Sequence, residues 1–308
     1  MAKHFIEIED YAIEELQLLL TMSAELKDLY RSGGRDTCLA GKTMAMVFEK
    51  PSSRTRISFQ VAMAQLGGSA IYLRPEDIGG LGKREPISDL TRVLNGYVNV
   101  IVARTFLHDS VLELARYATV PVINALTDLA HPCQAMADLL TIREQFGKLE
   151  GIKLAYIGDG NNVARSLAFA CKKLGLDFVI ASPKGYELNG DLMDKLQGQG
   201  PGAVTCLRDP RQAVQQADVI YTDTWTSMGQ EEEKEKRVQD FQGFQVNRDL
   251  LQATGRDTKV MHCLPAYRGL EIADDVIESP QSVVFEQAEN RLHFQRALLK
   301  YLVEKKFD

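Results

Sequence analysis

T-M-A-M-V-F-E-K-P-S-S-R-T-R-I-S-F-Q, residues 43–60, carries the pattern on which the fold is read. Thr43–Phe48 is a short apolar run of the length and kind that suits a buried strand. Lys50-Pro51-Ser52-Ser53 breaks that run, and Ser52 or Ser53 can cap a helix start. The stretch beginning at Ile57 then follows helical spacing as far as Gly67 and Gly68, which suit a C-terminal stop. Strand, turn and helix in that order are the repeating unit of an α/β protein.

The same alternation extends outward from this stretch. A-I-Y-L (70–73), V-I-V-A-R (100–104) and P-V-I-N-A-L (121–126) read as buried strands with helical segments between them. A second series follows: I-K-L-A-Y-I-G-D (152–159), D-F-V-I-A-S (177–182), A-V-T-C-L (203–207), D-V-I-Y-T-D (218–223), K-V-M-H-C-L-P (259–265) and S-V-V-F (282–285). Two series predict two doubly wound α/β domains with mainly parallel sheets. Residues 131–151 read as one long helix with Pro132 in its first turn and Gly147 and Gly151 past its end. Residues 288–306 read as a second, amphipathic helix. The expected division is residues 1–135 plus 288–308 as one domain and 150–287 as the other, with 136–149 as an interdomain helix.

At 308 residues the chain exceeds what one core usually organises, which agrees with two domains. Hydrophobic residues make up 45% and charged residues 25%, an ordinary globular composition. The formal net charge of −6 argues against nucleic acid as a partner, so any anion site must be local. The five cysteines, Cys38, Cys133, Cys171, Cys206 and Cys263, are dispersed without a C-x-x-C pair. That argues against a disulfide framework and a structural zinc site, and points to a reducing compartment. The first twenty residues lack the plan of a signal or transit peptide, and no stretch reaches the roughly 20 apolar residues of a membrane span. The expectation is a cytoplasmic protein with no membrane partner.

In open α/β sheets ligands bind at the carboxyl ends of strands, so candidate residues are sought there. Lys50, Arg54 and Arg56 crowd a helix start beside Ser52, Ser53 and Thr55. Helix-start N–H groups and arginine forks attract phosphate. Taken alone, the cluster reads equally well as a capped helix with solvated arginines. It lacks G-x-x-x-x-G-K-[ST], so a nucleoside triphosphate is not implied. Arg104 ends a strand, and His131 and Gln134 stand three apart at a helix start. The pair could hydrogen-bond a carbonyl group, or simply cap the helix.

I-G-D-G-N-N-V-A-R-S (157–166) resembles a dinucleotide fingerprint but has Val163 at the third glycine position. No acid follows the next strand, so a nicotinamide cofactor is not expected. Asn161 and Asn162 could offer amides to a polar ligand or form the turn. Asp223, Ser227 and Met228 follow another strand, and Asp223 could pair with an amine. The E-E-E-K-E-K-R run after them reads as a solvated segment. His262 and Cys263 are adjacent and would face opposite ways on a strand, which argues against a shared metal or Cys-His site and leaves His262 structural.

S-S-R-T-R after F-E-K, A-R at a strand end, H-P-C-Q, G-D-G-N-N, D-T-W-T-S-M-G-Q-E and H-C-L-P, in this order, resemble the aspartate/ornithine carbamoyltransferase family. The S-M-G and H-C-L-P elements are similar to its ornithine branch. The resemblance implies a transferase moving the carbamoyl group of carbamoyl phosphate to the δ-amine of L-ornithine, with neither metal nor cofactor. It implies that Ser52, Ser53, Arg54, Thr55, Arg104, His131, Gln134 and Arg291 bind carbamoyl phosphate. By the same resemblance Asn162, Asp223, Ser227, Met228, Cys263 and Leu264 bind ornithine. Arg104, His131, Asp223 and Cys263 would be the catalytic set. A site between the domains and a homotrimer, or a multiple of trimers, are also implied. The loop D-I-G-G-L-G-K-R-E-P (77–86) departs from the family pattern, because Gly79 and Gly80 have no side chain to offer a neighbouring subunit. The alternatives are another amine acceptor, such as putrescine or a modified ornithine, and a non-catalytic regulatory protein that kept the anion pocket.

Overall fold

The computed structural model describes residues 2–226 and 231–304. The chain forms two compact units, Met1–Leu140 with Asn290–Asp308, and Thr141–Glu289. The first unit holds β1 (Thr43–Phe48), β2 (Ser69–Leu73), β3 (Val100–Arg104) and β4 (Val122–Leu126) in the order β2-β1-β3-β4. The second holds β5 (Lys153–Ile157), β6 (Asp177–Ala181), β7 (Ala203–Leu207), β8 (Val219–Thr222) and β9 (Lys259–His262) in the order β7-β6-β5-β8-β9. Every pairing is parallel.

The apolar strand runs follow from this architecture, since a parallel sheet is covered on both faces. Val100, Ile101, Val102 and Ala103 of the central strand β3 are all fully buried. Each unit carries its own core. Ala45, Val47, Ile101 and Leu114 belong to that of the first, and Ala155, Ile220, Phe241 and Val260 to that of the second. Such cores supply the stability against which strained or repulsive polar sites can be held.

Both sheets reverse their strand order at an internal point. In the first unit the reversal lies between β1 and β3, so the segments leaving these strands flank one crevice. In the second it lies between β5 and β8. The S-S-R-T-R, A-R, G-D-G-N-N and D-T-W motifs all leave strands at these two points.

The long helix spans Pro132–Phe146 and closes at Gly147, whose φ of +73° suits glycine, as the glycine past its end led one to expect. One expectation changes. S-V-V-F is not a strand. Ser282 makes one isolated bridge to Val260, and the helix Val284–Glu304 begins two residues later. A four-residue apolar run fits a buried helix turn as well as a strand, and here Val284 is fully buried at the start of that helix. The division between the units falls inside each of these two helices. Among the described residues no helix is long and apolar enough to cross a membrane.

Candidate functional site

In the first unit the helix Ser53–Gln65 starts where β1 ends. Ser52 is its N-cap, and its Oγ accepts from the Thr55 N–H at 3.3 Å. The first turn contains no acid, so nothing within it neutralises the positive helix end. Thr55 is fully buried, and its Oγ1 accepts from Arg291 Nη2 at 3.0 Å and from Arg104 Nη1 at 3.5 Å. Residues 236 positions apart are thus brought onto one hydroxyl.

Arg104 is 4% exposed, and its Nε has no hydrogen-bond partner among the described residues. Burial pushes its guanidinium down to about 10, and the charges of Arg291 and Arg54 push in the same direction. Three cations therefore converge where, among the described residues, no carboxylate balances Arg104. Such an arrangement is costly in the unliganded protein and favourable once a multiply charged anion arrives. Position 104 is aimed by an irregularity in β3, where the register against β4 shifts between Ala103 and Arg104.

His131 and Gln134 stand at the start of the helix Pro132–Phe146. His131 is buried, and burial, followed by Arg291 and Arg104, holds its imidazole well below 6.5. The ring is therefore neutral at physiological pH. A pH titration of the His131 ring signals by NMR is expected to show no midpoint near 6.5, and a midpoint there would contradict the neutral ring. The linked stability effect has a definite sign. Below about 6.5 the unfolded chain takes up a proton that the folded ring refuses, so this residue makes stability fall as the solution is acidified.

Gln134 is 1% exposed, and its Nε2 donates to Asp138 Oδ1 at 2.8 Å. That bond leaves Oε1 as a buried acceptor without a partner among the described residues. Cys133 between them points into the core, where burial pushes its thiol up to about 12, so it is no nucleophile.

The second unit builds a different kind of site. Asn161 is the N-cap of the helix Asn162–Leu174, and its Oδ1 accepts from Val163 N–H at 3.0 Å and Ala164 N–H at 3.1 Å. Its Nδ2 donates to Asp223 Oδ2 at 2.9 Å. Asn162, the expected ligand, is the first residue of that helix and is half-buried. Gly160 explains the fingerprint-like G-D-G. A Cβ there would lie 2.5 Å from the backbone of Glu187 and Leu188, so the glycine serves a close chain approach rather than a pyrophosphate.

Asp223 is 7% exposed, and its Oδ1 accepts from Thr224 N–H at 2.7 Å and from Cys263 Sγ at 2.9 Å. The expected opposition of His262 and Cys263 does not hold. Strand β9 ends at His262, so strand alternation no longer governs Cys263. Ligand atoms of Asp223, His262 and Cys263 lie within 4.8 Å of one another. His262 is nonetheless committed to structure. Its Nδ1 accepts the Leu264 N–H at 2.9 Å, which places the ring proton on Nε2, 3.1 Å from Glu271 Oε1. With both ring nitrogens engaged, His262 holds the turn at Leu264, whose φ of +57° is unusual for a branched residue.

Ser227 and Met228 lie outside the described residues. Their flanks are held by Arg237, which the sequence reading had left in a solvated run. Arg237 is 6% exposed. Its Nη1 donates to Asp159 Oδ2 at 2.7 Å and to the Trp225 carbonyl at 3.0 Å, and its Nε to Glu233 Oε2 at 2.9 Å. The i, i+4 spacing of Glu233 and Arg237 was legible, but the part-buried pairing with Asp159 was not.

The two units match a known pair of domains. Residues 3–144 match the aspartate/ornithine carbamoyltransferase carbamoyl-P binding domain, and residues 150–302 match the Asp/Orn binding domain. The chain is 50% identical to an ornithine carbamoyltransferase of Anoxybacillus flavithermus over 304 residues, 98% of this chain and 96% of that one. Among solved structures, ornithine carbamoyltransferase from Pyrococcus furiosus superposes with a TM-score of 0.96 at 49% identity, covering 99% of this chain and 98% of that chain. A mitochondrial ornithine carbamoyltransferase from Coccidioides immitis gives 0.91 at 38% identity, with 98% of each chain covered. The chain belongs to the aspartate/ornithine carbamoyltransferase family.

Proposed function

We propose that this protein transfers the carbamoyl group of carbamoyl phosphate to the δ-amine of L-ornithine, giving L-citrulline and phosphate. The observation that carries the reading is the buried cluster of Arg104 and Arg291 on Thr55, beside Arg54 at an acid-free helix start. Ser52, Ser53, Arg54 and Thr55 hold the phosphate, with Arg104 and Arg291 completing the grip. Gln134 Oε1 accepts from the carbamoyl NH2, the donor that this buried oxygen lacks. Neutral His131 and Arg104 donate to the carbamoyl oxygen as it becomes an oxyanion, and preorganised donors of this type lower barriers by several kcal/mol.

On the ornithine side, Asp223 receives the α-ammonium, with Asn162, Ser227, Met228 and Leu264 lining the amino acid and Cys263 orienting the δ-amine. A lysine-like amine has a pKa near 10.4, so it must shed a proton before attack. The nitrogen bonds to the carbamoyl carbon, the carbon–oxygen bond to phosphate breaks, and the departing phosphate accepts the surplus amine proton. No step calls on a metal or cofactor.

A ureido-product assay with carbamoyl phosphate and a panel of amines tests the reading. L-Ornithine is expected to be turned over in preference to putrescine, which has no α-ammonium for Asp223. Turnover of putrescine alone would replace the substrate, and carbamoyl phosphate binding without turnover of any amine would replace the enzyme with a regulatory protein.

We also propose a homotrimer or a multiple of trimers. Ile57 and Val61, one turn apart on the helix Ser53–Gln65, and Ile71 on the edge strand β2 are exposed apolar residues on neighbouring elements. Gly79, Gly80 and Gly82 all adopt positive φ, so the glycines of that loop serve its turn geometry. Sedimentation at the mass of a single chain would refute the assembly. A cytoplasmic location agrees with five cysteines of which none is in a disulfide.

A further inference from the structure

We infer that Asn161 is a positioning residue: its side-chain amide fixes the one direction from which an ammonium reaches the carboxylate of Asp223. The inference rests on the assignment of Asp223 to the ornithine α-amine.

Capping alone does not account for an asparagine here. An N-cap needs one side-chain oxygen, and Asp, Ser and Asn supply it about equally well. Asn161 uses its oxygen for that purpose, on Val163 N–H and Ala164 N–H. Tyr156 Oη donates to the same oxygen at 3.4 Å. Tyr156 is fully buried, and burial, with the nearby acidic groups, holds its hydroxyl well above 10, so it remains a donor. With donors on one side, the amide has one orientation. Flipping it would set NH2 against two backbone N–H groups and a hydroxyl. Nδ2 is therefore obliged to face Asp223 Oδ2, at 2.9 Å. Asp at position 161 could cap the helix but has no donor when ionised, and Ser has a single oxygen where Asn161 uses two separate atoms, Oδ1 for the cap and Nδ2 for Asp223.

The acceptor count of Asp223 shows what this donation does. An ionised carboxylate has about four acceptor positions. Oδ1 takes Thr224 N–H and Cys263 Sγ, and Oδ2 takes Asn161 Nδ2. Among the described residues this leaves one position, on Oδ2, and Asn161 decides which of its two lone pairs that is. The amide is itself anchored to a rigid loop, because the Gly160 N–H donates to Tyr186 O at 2.7 Å beside the close approach at Gly160. Asp223 is thus a receptor with a single opening, set by a residue that does not itself touch the substrate.

Cap-preserving substitutions isolate this role. Asn161→Ser keeps a capping oxygen and removes the amide nitrogen that reaches Asp223 Oδ2. Asn161→Asp keeps the cap and turns an acceptor toward the carboxylate. In both, the calorimetric affinity for carbamoyl phosphate is expected to stay near wild type, while the KM for L-ornithine rises about tenfold or more, the scale of one hydrogen bond to a charged group. The melting temperature should stay near wild type in Asn161→Ser and fall in Asn161→Asp, where two carboxylates meet. The KM increase should be larger in Asn161→Asp, and the KM for putrescine, which has no α-ammonium, should not change in Asn161→Ser. A merely structural role would instead move the affinity for carbamoyl phosphate, or the melting temperature of Asn161→Ser, together with the KM. Asp223→Asn is measured alongside. If Asp223→Asn raises the ornithine KM and the folded Asn161 variants do not, the positioning role alone is overturned. If Asp223→Asn leaves that KM unchanged, the assignment of Asp223 fails and the inference fails with it.

Discussion

Arg104→Met is expected to make the ligand-free protein more heat-stable while reducing kcat/KM for carbamoyl phosphate about a thousandfold. Both effects follow from one geometry. A guanidinium pushed down to about 10 by burial and like charges is destabilised in its charged form within the fold. That penalty is present in full below pH 10 and is relieved as pH rises above it toward the ordinary arginine value. It corresponds to roughly 3 kcal/mol at neutral pH as an order of magnitude. Methionine nearly matches the side-chain length without the charge. Part of the gain is offset by losing the long contact with Thr55, so a rise of about 2–5 °C in Tm is anticipated.

The activity loss has the opposite sign because phosphate supplies the missing counter-charge. Hydrogen bonds between charged partners contribute about 1.5–3 kcal/mol each, and losing two approaches a thousandfold. Scanning calorimetry with and without carbamoyl phosphate reads both arms. Wild type should be stabilised by the ligand through linkage and the variant much less so. A lower Tm with unchanged affinity would show that Arg104 serves the fold and not the anion.

The second large effect concerns Asp223→Asn. The amide keeps the shape of the carboxylate but not its charge, and the site is only 7% exposed, so solvent screens the loss weakly. Removing a charged partner from an ammonium in such a place costs about 2–4 kcal/mol, or roughly a hundredfold in the KM for L-ornithine. Affinity for carbamoyl phosphate should not change. The ratio of ornithine to putrescine turnover should fall by a similar factor, since putrescine never used the carboxylate. An unaltered ratio would move the α-amine elsewhere.

Much of the anion half-site could be read along the chain. Ser52, Arg54 and Thr55 act through a helix start, a feature made by neighbouring residues and signalled by a strand, a break and a cap. The ornithine half-site was read less completely. Asn161 and Asn162 read alike as amides for a polar ligand or a turn, and the structure gives Asn161 the bond to Asp223. No local pattern separates the two, because the difference lies in which amide faces a strand end 62 residues away. Arg237 was lost among charges for the same reason. An E-E-E-K-E-K-R run looks solvated until a half-buried Asp159 is set against its last residue, Arg237. His262 and Cys263 were separated by a strand rule that stops applying once the strand ends.

The sequence by itself determined the alternation of strands and helices, the two parallel sheets and the placing of most motifs at strand ends. These depend on periodicity, turn residues and capping, which act over a few positions of chain. Only the tertiary structure decided the neutral state of His131, the burial of Arg104 among like charges, the bond from Asn161 to Asp223 and the helical fate of S-V-V-F. Each depends on burial and on partners distant in sequence, and the strength of an electrostatic or hydrogen-bonding interaction is fixed only when the surrounding dielectric and the competing groups are in place.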